Sequence, residues 1–336
     1  MTFIYQFKGI RYNEKLNPLD DLIIPPFDEI NEEQKERYKK IKFNFVHFTL
    51  PDSYEYPKIL VDRFLKDGIF KIDDDSYYLM EIKYENKILK GIVAAVDLNG
   101  KIFPHEKTFD FPVKDRYNLL QNSGYDFEYV FFLTKKDLIY DDEKLLSFGT
   151  MDNKIYNLYK INLKDNDMGD LVIADGHHRF RAALHFHSNF NGYDKILGFI
   201  INVFDNNLIL KNANKMVHDK LIDFDKIREY FDLSDHGLKF IYKDNIYYII
   251  PKDNDLYKMP QIFWFNEILK LLNVDYNINN VITYFDNSCK KDMACFFPIP
   301  PKPQEVFDLA VNNVIFPQKS TYFLPKPASG LVFMKK

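Results

Sequence analysis

Glycine, cysteine and arginine are all scarce in this chain, and each shortage excludes something. The 12 glycines among 336 residues are nowhere closer than six positions apart. A dinucleotide fingerprint needs glycines two and then three apart, a Walker A loop a pair five apart, and a nucleophile elbow a pair four apart. Those classes are disfavoured, as is the glycine-rich loop of protein kinases. Two cysteines, Cys289 and Cys295, cannot build a disulfide framework or a zinc site, and both are expected to be buried thiols. No apolar run approaches the roughly 18 residues of a membrane span, and Met1 to Asn13 lacks the apolar stretch of a signal peptide, so the cytoplasm is expected and a membrane is not. An excess of positive charge is missing too. Against 49 Asp+Glu stand 45 Lys+Arg, a net charge of -4, so no global field would hold a polyanion and no nucleic-acid partner is expected.

What is present is a globular composition, 46% hydrophobic, with 32 Phe and 23 Tyr. Strands are predicted at Thr2 to Lys8, Tyr129 to Leu133, Gly198 to Phe204 and Leu208 to Lys211, near 281 to 285 and near 293 to 297. Tyr77 to Lys83 and Ile88 to Leu98 read as a hairpin. Asn31 and Gln34 spell a capping box, Pro57 and Gly68 bracket a second helix, and further helices are predicted at Val113 to Asn122, near 223 to 231 and near 262 to 273. This irregular alternation predicts an α+β fold. Domain borders are weakly marked; regions 1–95, 96–200 and 201–336 are expected, the last closing over the site of the middle one.

The most informative segment is Ala174-Asp175-Gly176-His177-His178-Arg179-Phe180-Arg181, which reads as strand, tight turn, helix. Glycine at such a turn lets the backbone approach a ligand, and the first helical N–H groups with the helix dipole favour an anion. A capped helix with solvated basic side chains is the plain alternative, Asp175 serving as cap. Yet only seven of the basic residues are Arg, and two fall within three positions here, where bidentate oxyanion binding would use them. Zinc fits poorly, because His178 and His185 lie about 10 Å apart along one helix face.

Two further clusters are polar. Pro104-His105-Glu106-Lys107-Thr108 precedes Asp115-Arg116 at a helix start, and Glu106 is a candidate acid, base or magnesium ligand. Lys319-Ser320-Thr321 with Lys326 supplies ammonium and hydroxyl groups suited to transferred phosphate oxygens.

Pro25-Pro26-Phe27-Asp28, Pro104-His105-Glu106-x-Thr108, Asp115-Arg116-x-x-Leu119-Leu120, Ala174 to Arg179 and Lys319 to Lys326 resemble, in order, the signatures of a widespread ParB/sulfiredoxin-like family of long unassigned function. Members have been identified as free-serine kinases, some of them pyrophosphate-dependent. The resemblance implies a mixed-sheet core and a phosphotransferase that phosphorylates free L-serine to O-phosphoserine, with Mg2+ and with pyrophosphate, ATP or ADP as donor. It implies phosphate contacts from Gly176, His177, His178, Arg179, Arg116, Lys319, Ser320, Thr321 and Lys326. Catalytic work would fall to Asp28, Glu106, Asp175 and His178, magnesium to Asp175 or Glu106, and the acceptor to His105, Thr108 and Asp115. His177 stands where sulfiredoxins carry their reactive cysteine, which excludes that chemistry, and no helix-turn-helix is evident. Asn212-Ala213-Asn214-Lys215 departs from the His-Arg pair expected there. A ParB-like nucleotide-binding regulator and a kinase for another small hydroxyl compound are the alternatives.

Overall fold

The computed structural model describes residues 1–107, 110–190, 192–211, 213–277 and 280–336, the side chains at 110 and 111 excepted. It is a mixed α/β structure in two compact units. Unit 1 holds Met1–Pro104, Thr108–Leu208 and Pro325–Lys336; unit 2 holds His105–Lys107 and Ile209–Leu324.

Unit 1 is built on a nine-stranded mixed sheet. Its strands are β1 (Ile4–Tyr5), β2 (Tyr77–Tyr84), β3 (Lys87–Asp97), β4 (Ile102–Pro104), β5 (Val130–Thr134), β6 (Tyr140–Met151), β7 (Lys154–Leu163), β8 (Leu171–Asp175) and β9 (Lys195–Asn202). They lie in the order β4-β8-β5-β9-β3-β2-β7-β6, with β1 on β3. The predicted hairpin is β2–β3, in register from Tyr78↔Val93 to Tyr84↔Lys87. A second hairpin, β6–β7, has no counterpart among the predicted elements: its strands are charged, and its Asp152-Asn153 turn lacks glycine although both residues take positive φ (49° and 60°).

Helix α1 (Glu32–Lys39) carries the predicted capping box, Asn31 and Gln34 bonding reciprocally. Pro57 lies in the first turn of α2 (Tyr56–Lys66), and α3 (Asp110–Ser123) packs beside α4 (His177–Asn189). On α4, Phe180, Ala183 and Phe186 recur every third residue and are buried against Val130, Phe132, Ile173 and Ile200 of the sheet. That burial fixes the start of α4 at the carboxyl end of β8. A four-stranded sheet of Gly9–Tyr12, Phe70–Ile72, Tyr125–Asp126 and Phe333–Lys335 covers a second core of Phe45, Phe48, Phe64, Phe70, Phe127 and Phe333 rings.

Unit 2 contains a six-stranded antiparallel sheet. Its strands are β11 (Asn214–His218), β12 (Phe231–Ser234), β13 (Leu238–Tyr242), β14 (Asn245–Pro251), β15 (Val281–Tyr284) and β16 (Met293–Phe297), in the order β12-β14-β13-β16-β11-β15. A separate pair joins β10 (Ile209–Lys211) to β17 (Tyr322–Leu324). Helices α5 (Phe224–Tyr230), α6 (Gln261–Leu271) and α7 (Pro303–Val311) and a short helical turn at Asn254–Tyr257 lie in the same unit. The strands at 195–202 and 209–211 do not pair across the Asp205-Asn206-Asn207 turn: β9 joins the large sheet and β10 pairs β17.

The expectation of two buried thiols is corrected. Cys289 and Cys295 form a disulfide, because the connection between β15 and β16 brings their Cα atoms to 5.9 Å. Among the described residues, no helix is long and apolar enough to cross a membrane.

Candidate functional site

Within unit 1, β8 ends at Asp175, Gly176 turns the chain at φ 87°, ψ 25°, and α4 begins at His177. The N-cap residue is Gly176 itself, which has no side chain to cap this helix. Asp175, the cap of the plain reading, turns instead to two cations: Oδ2 accepts from Arg179 Nη2 at 2.9 Å and Oδ1 from Lys326 Nζ at 3.2 Å. Burial alone would raise the Asp175 carboxyl, but Lys326 and Arg179 outweigh it and hold the group well below the usual carboxylate range. Gly176 is required twice over. Its φ lies in the left-handed region, and a Cβ there would meet Arg179 Nε, Nη2 and Cζ at 3.0–3.2 Å. The Arg179 side chain, only 10% exposed, folds back over the turn, and its buried Nε has no hydrogen-bond acceptor among the described residues.

Arg116, on α3, is buried and well engaged. Its Nε and Nη2 donate to Asp115 Oδ2 (2.8 and 2.5 Å), its Nη1 donates to Thr49 O (2.8 Å), and the guanidinium lies 3.9 Å from the centre of the Phe27 ring. Asp115, expected on the acceptor side, accepts from Arg116 and from Tyr54 Oη at 2.7 Å. Lys326 Nζ lies 3.1 Å from Glu29 Oε1 as well as beside Asp175. Asp28 is exposed, and its charge acts on both Arg179 and Lys326. His177 and His178 occupy the first turn of α4, half-buried.

Two carboxylates of this cluster had no signal in the sequence. Glu29 follows Asp28 in the Phe27–Glu29 turn. Glu128 is buried; its Oε1 accepts from Phe27 N (2.9 Å) and Ser329 Oγ (3.3 Å), and its Oε2 lies 3.5 Å from Arg116 Nη1. Burial pushes the Glu128 carboxyl up against the pull of Arg179 and Arg116. Arg116, Glu128 and Arg179 line a cavity of about 40 Å³, water-sized and too small for a substrate.

Within unit 2, Phe316 N donates to His105 O (2.7 Å) and Lys107 N to Phe316 O (3.2 Å), which places Glu106 beside the Lys319–Thr321 turn. Its carboxylate accepts from Lys319 N (2.6 Å), Ser320 N (3.0 Å) and Thr321 Oγ1 (3.3 Å). With Lys319 at φ 53°, the successive N–H groups form a small anion nest, and Glu106 fills it. Buried His105 meets Thr321 Oγ1 at 2.6 Å through Nε2. Lys215, in the stretch that departs from the expected pattern, is fully buried; its Nζ donates to Lys319 O (2.5 Å) and Thr283 Oγ1 (2.8 Å). Burial pushes its ammonium down to about 7, despite Glu106 nearby.

The predicted residues thus fall into two groups. Asp28, Asp115, Arg116, Asp175, Gly176, His177, His178, Arg179 and Lys326 belong to unit 1, and His105, Glu106, Lys319, Ser320 and Thr321 to unit 2. Thr108 lies outside the described residues. Asp175 and Glu106 do not fit as magnesium ligands, since the oxygens of the first face Lys326 and Arg179 and those of the second accept from the Lys319–Thr321 turn. Among the described residues, no three His, Cys, Asp or Glu side chains are grouped to hold a metal ion.

Residues 4–275 match the family described as "Protein of unknown function (DUF1015)". No curated protein matches the chain. Similar solved structures include SbnI with C-terminal truncation from Staphylococcus aureus, 10% identical, covering 71% of this chain and 85% of that one at a TM-score of 0.47. A free serine kinase in complex with AMP is 12% identical, covering 72% and 90% at 0.42. A conserved hypothetical protein from Pyrococcus furiosus is 13% identical, covering 72% and 93% at 0.40.

Proposed function

The chain belongs to the DUF1015 family of proteins of unknown function, and from that premise we propose that it is a phosphotransferase acting on the hydroxyl of free L-serine to give O-phosphoserine, with pyrophosphate as donor. The observation that carries this reading is the start of α4 at a glycine N-cap, over which the buried Arg179 guanidinium keeps its Nε–H without an acceptor among the described residues. A helix N-terminus with a preset guanidinium favours a phosphate oxyanion. The ParB/sulfiredoxin-like motif resemblance supplies the acceptor.

In the proposed reaction the serine Oγ attacks one phosphorus of pyrophosphate, the bond to the bridging oxygen breaks, and inorganic phosphate leaves. Arg179 and the first turn of α4 with His177 and His178 steady the donor, while Arg116 holds the flank of the site through Phe27 and Asp115. Serine is a poor nucleophile unassisted, so its proton must pass to a carboxylate. Asp28 suits this role because it is exposed and lies near the charges of Arg179 and Lys326. Glu106 suits it less, its carboxylate being taken up by Lys319, Ser320 and Thr321. Pyrophosphate is preferred over a nucleotide because the assigned residues grip phosphate and none is assigned to a base.

The test is to incubate the full chain with magnesium chloride, a panel of pyrophosphate, ATP and ADP, and free amino acids, reading products by mass. O-phosphoserine from serine and pyrophosphate is expected, and Asp28→Asn should slow its formation by about 100-fold or more with the fold intact. No phosphorylated product from any donor would overturn the assignment, and steeply salt-dependent DNA binding in its place would favour a nucleotide-responsive regulator.

A further inference from the structure

Lys326 sits where the sequence reading would put a metal. Its side chain is only 8% exposed, and its Nζ lies 3.1 Å from Glu29 Oε1 and 3.2 Å from Asp175 Oδ1, with the Asp28 charge acting on it as well. These carboxylates come from two distant segments, the Phe27–Glu29 turn and the end of β8. The ammonium is built in rather than draped over the surface. Pro325 and Pro327 flank Lys326 and restrict its backbone. Ser329 and Ile24 exchange backbone hydrogen bonds at 2.9 and 3.1 Å, which ties this segment beside the turn.

Converging carboxylates are what hard divalent cations take as ligands, at oxygen distances of roughly 2.0–2.6 Å. Here a side-chain cation already stands among them. Charge balance in this cluster points the same way: Asp28, Glu29, Asp115 and Asp175 outnumber Arg116, Arg179 and Lys326 even with the buried Glu128 left aside. A polyanionic donor would meet net repulsion unless it brought positive charge with it.

We propose that Lys326 is the resident cation between the Glu29 and Asp175 carboxylates, in the place a divalent metal bound by them would take, so that magnesium reaches the reaction bound to the donor rather than held by these carboxylates. The place of Lys326 stands on the geometry alone; the arrival of magnesium on the donor rests on the phosphoryl-transfer reading.

Titration of Mn2+ into the full chain, followed by electron paramagnetic resonance of the free ion, separates the two. Without pyrophosphate, wild type should bind no Mn2+ saturably, whereas Lys326→Met should bind it at least about tenfold more tightly, a difference of about 1.4 kcal/mol. Lys326→Met with Asp175→Asn should lose that gain. Should Lys326→Met fold poorly, Mn2+ should raise its melting temperature and leave that of the double variant unmoved. Saturable Mn2+ binding by wild type that Asp175→Asn abolishes would overturn the proposal, as would a folded Lys326→Met that binds Mn2+ no better than wild type. With pyrophosphate added, Mn2+ should join wild type as part of a ternary complex. Failure of pyrophosphate to bind would count against phosphoryl transfer, while the metal-alone titrations would still decide the place of Lys326.

Discussion

Gly176 shows how a single residue ties the backbone to the chemistry. A side chain there must adopt φ 87° and press on the Arg179 guanidinium. Gly176→Ala is therefore expected to cost about 1–2 kcal/mol in denaturant unfolding and to weaken pyrophosphate binding by displacing Arg179. Glu128 makes the complementary case. Glu128→Ala leaves Phe27 N and Ser329 Oγ without their acceptor and strips the Arg116 guanidinium of a buried counter-charge, so a loss of about 3–5 kcal/mol is expected. Glu128→Gln, which retains an acceptor oxygen, should lose less. The contrast explains what the sequence discloses at this scale. Asp175 to Arg179 is legible because strand, glycine and clustered Arg and His stand next to one another. Glu29, Glu128 and Lys215 are single polar residues whose partners lie far away in sequence, and no local pattern announces them.

At the scale of elements, legibility follows the strength of the local signal. The capping box before α1, Pro57 in α2 and the β2–β3 hairpin appear as the sequence predicts. Asn31→Ala should cost about 1 kcal/mol, measured by thermal unfolding, through loss of the bond to Gln34 N. The β6–β7 hairpin was illegible because it alternates weakly and turns without glycine, and strands β12, β13 and β14 gave no stronger pattern. The proline-rich stretch from Pro298 to Pro303 hid α7, in which Pro303 occupies the first turn, where its missing N–H costs nothing. Strand pairing was the least legible feature. That β9 runs parallel to β5 while β8 runs antiparallel to it depends on contacts across the whole sheet.

For the whole molecule, buried charge makes stability depend on pH. Lys215 is pushed down to about 7, below its unfolded value near 10.4. Between these limits the unfolded chain binds the extra proton, so stability rises with pH from about 7 to 9.5, before tyrosines ionise. Trp264, the sole tryptophan, lies buried in unit 2 and reports on that unit. Its fluorescence during denaturant unfolding should show this rise in wild type and none in Lys215→Met. Asp175 acts in the opposite range: its depressed carboxyl contributes stability that is fully present above about pH 4 and is lost as pH falls towards the folded value. The mixed α/β class and the strand-glycine-helix corner at Asp175 to Arg179 were legible in the sequence, whereas the division into two units arises from long-range contacts and the disulfide from the course of the β15–β16 connection, which no residue pattern announces. The central claim is that the corner at Gly176 receives a phosphate oxyanion. Calorimetric titration of pyrophosphate with magnesium chloride into wild type and Arg179→Met tests it most directly. Saturable binding by wild type, weakened about tenfold or more in a folded Arg179→Met, is the predicted result; no binding by wild type, or equal affinity in the two proteins, would contradict it.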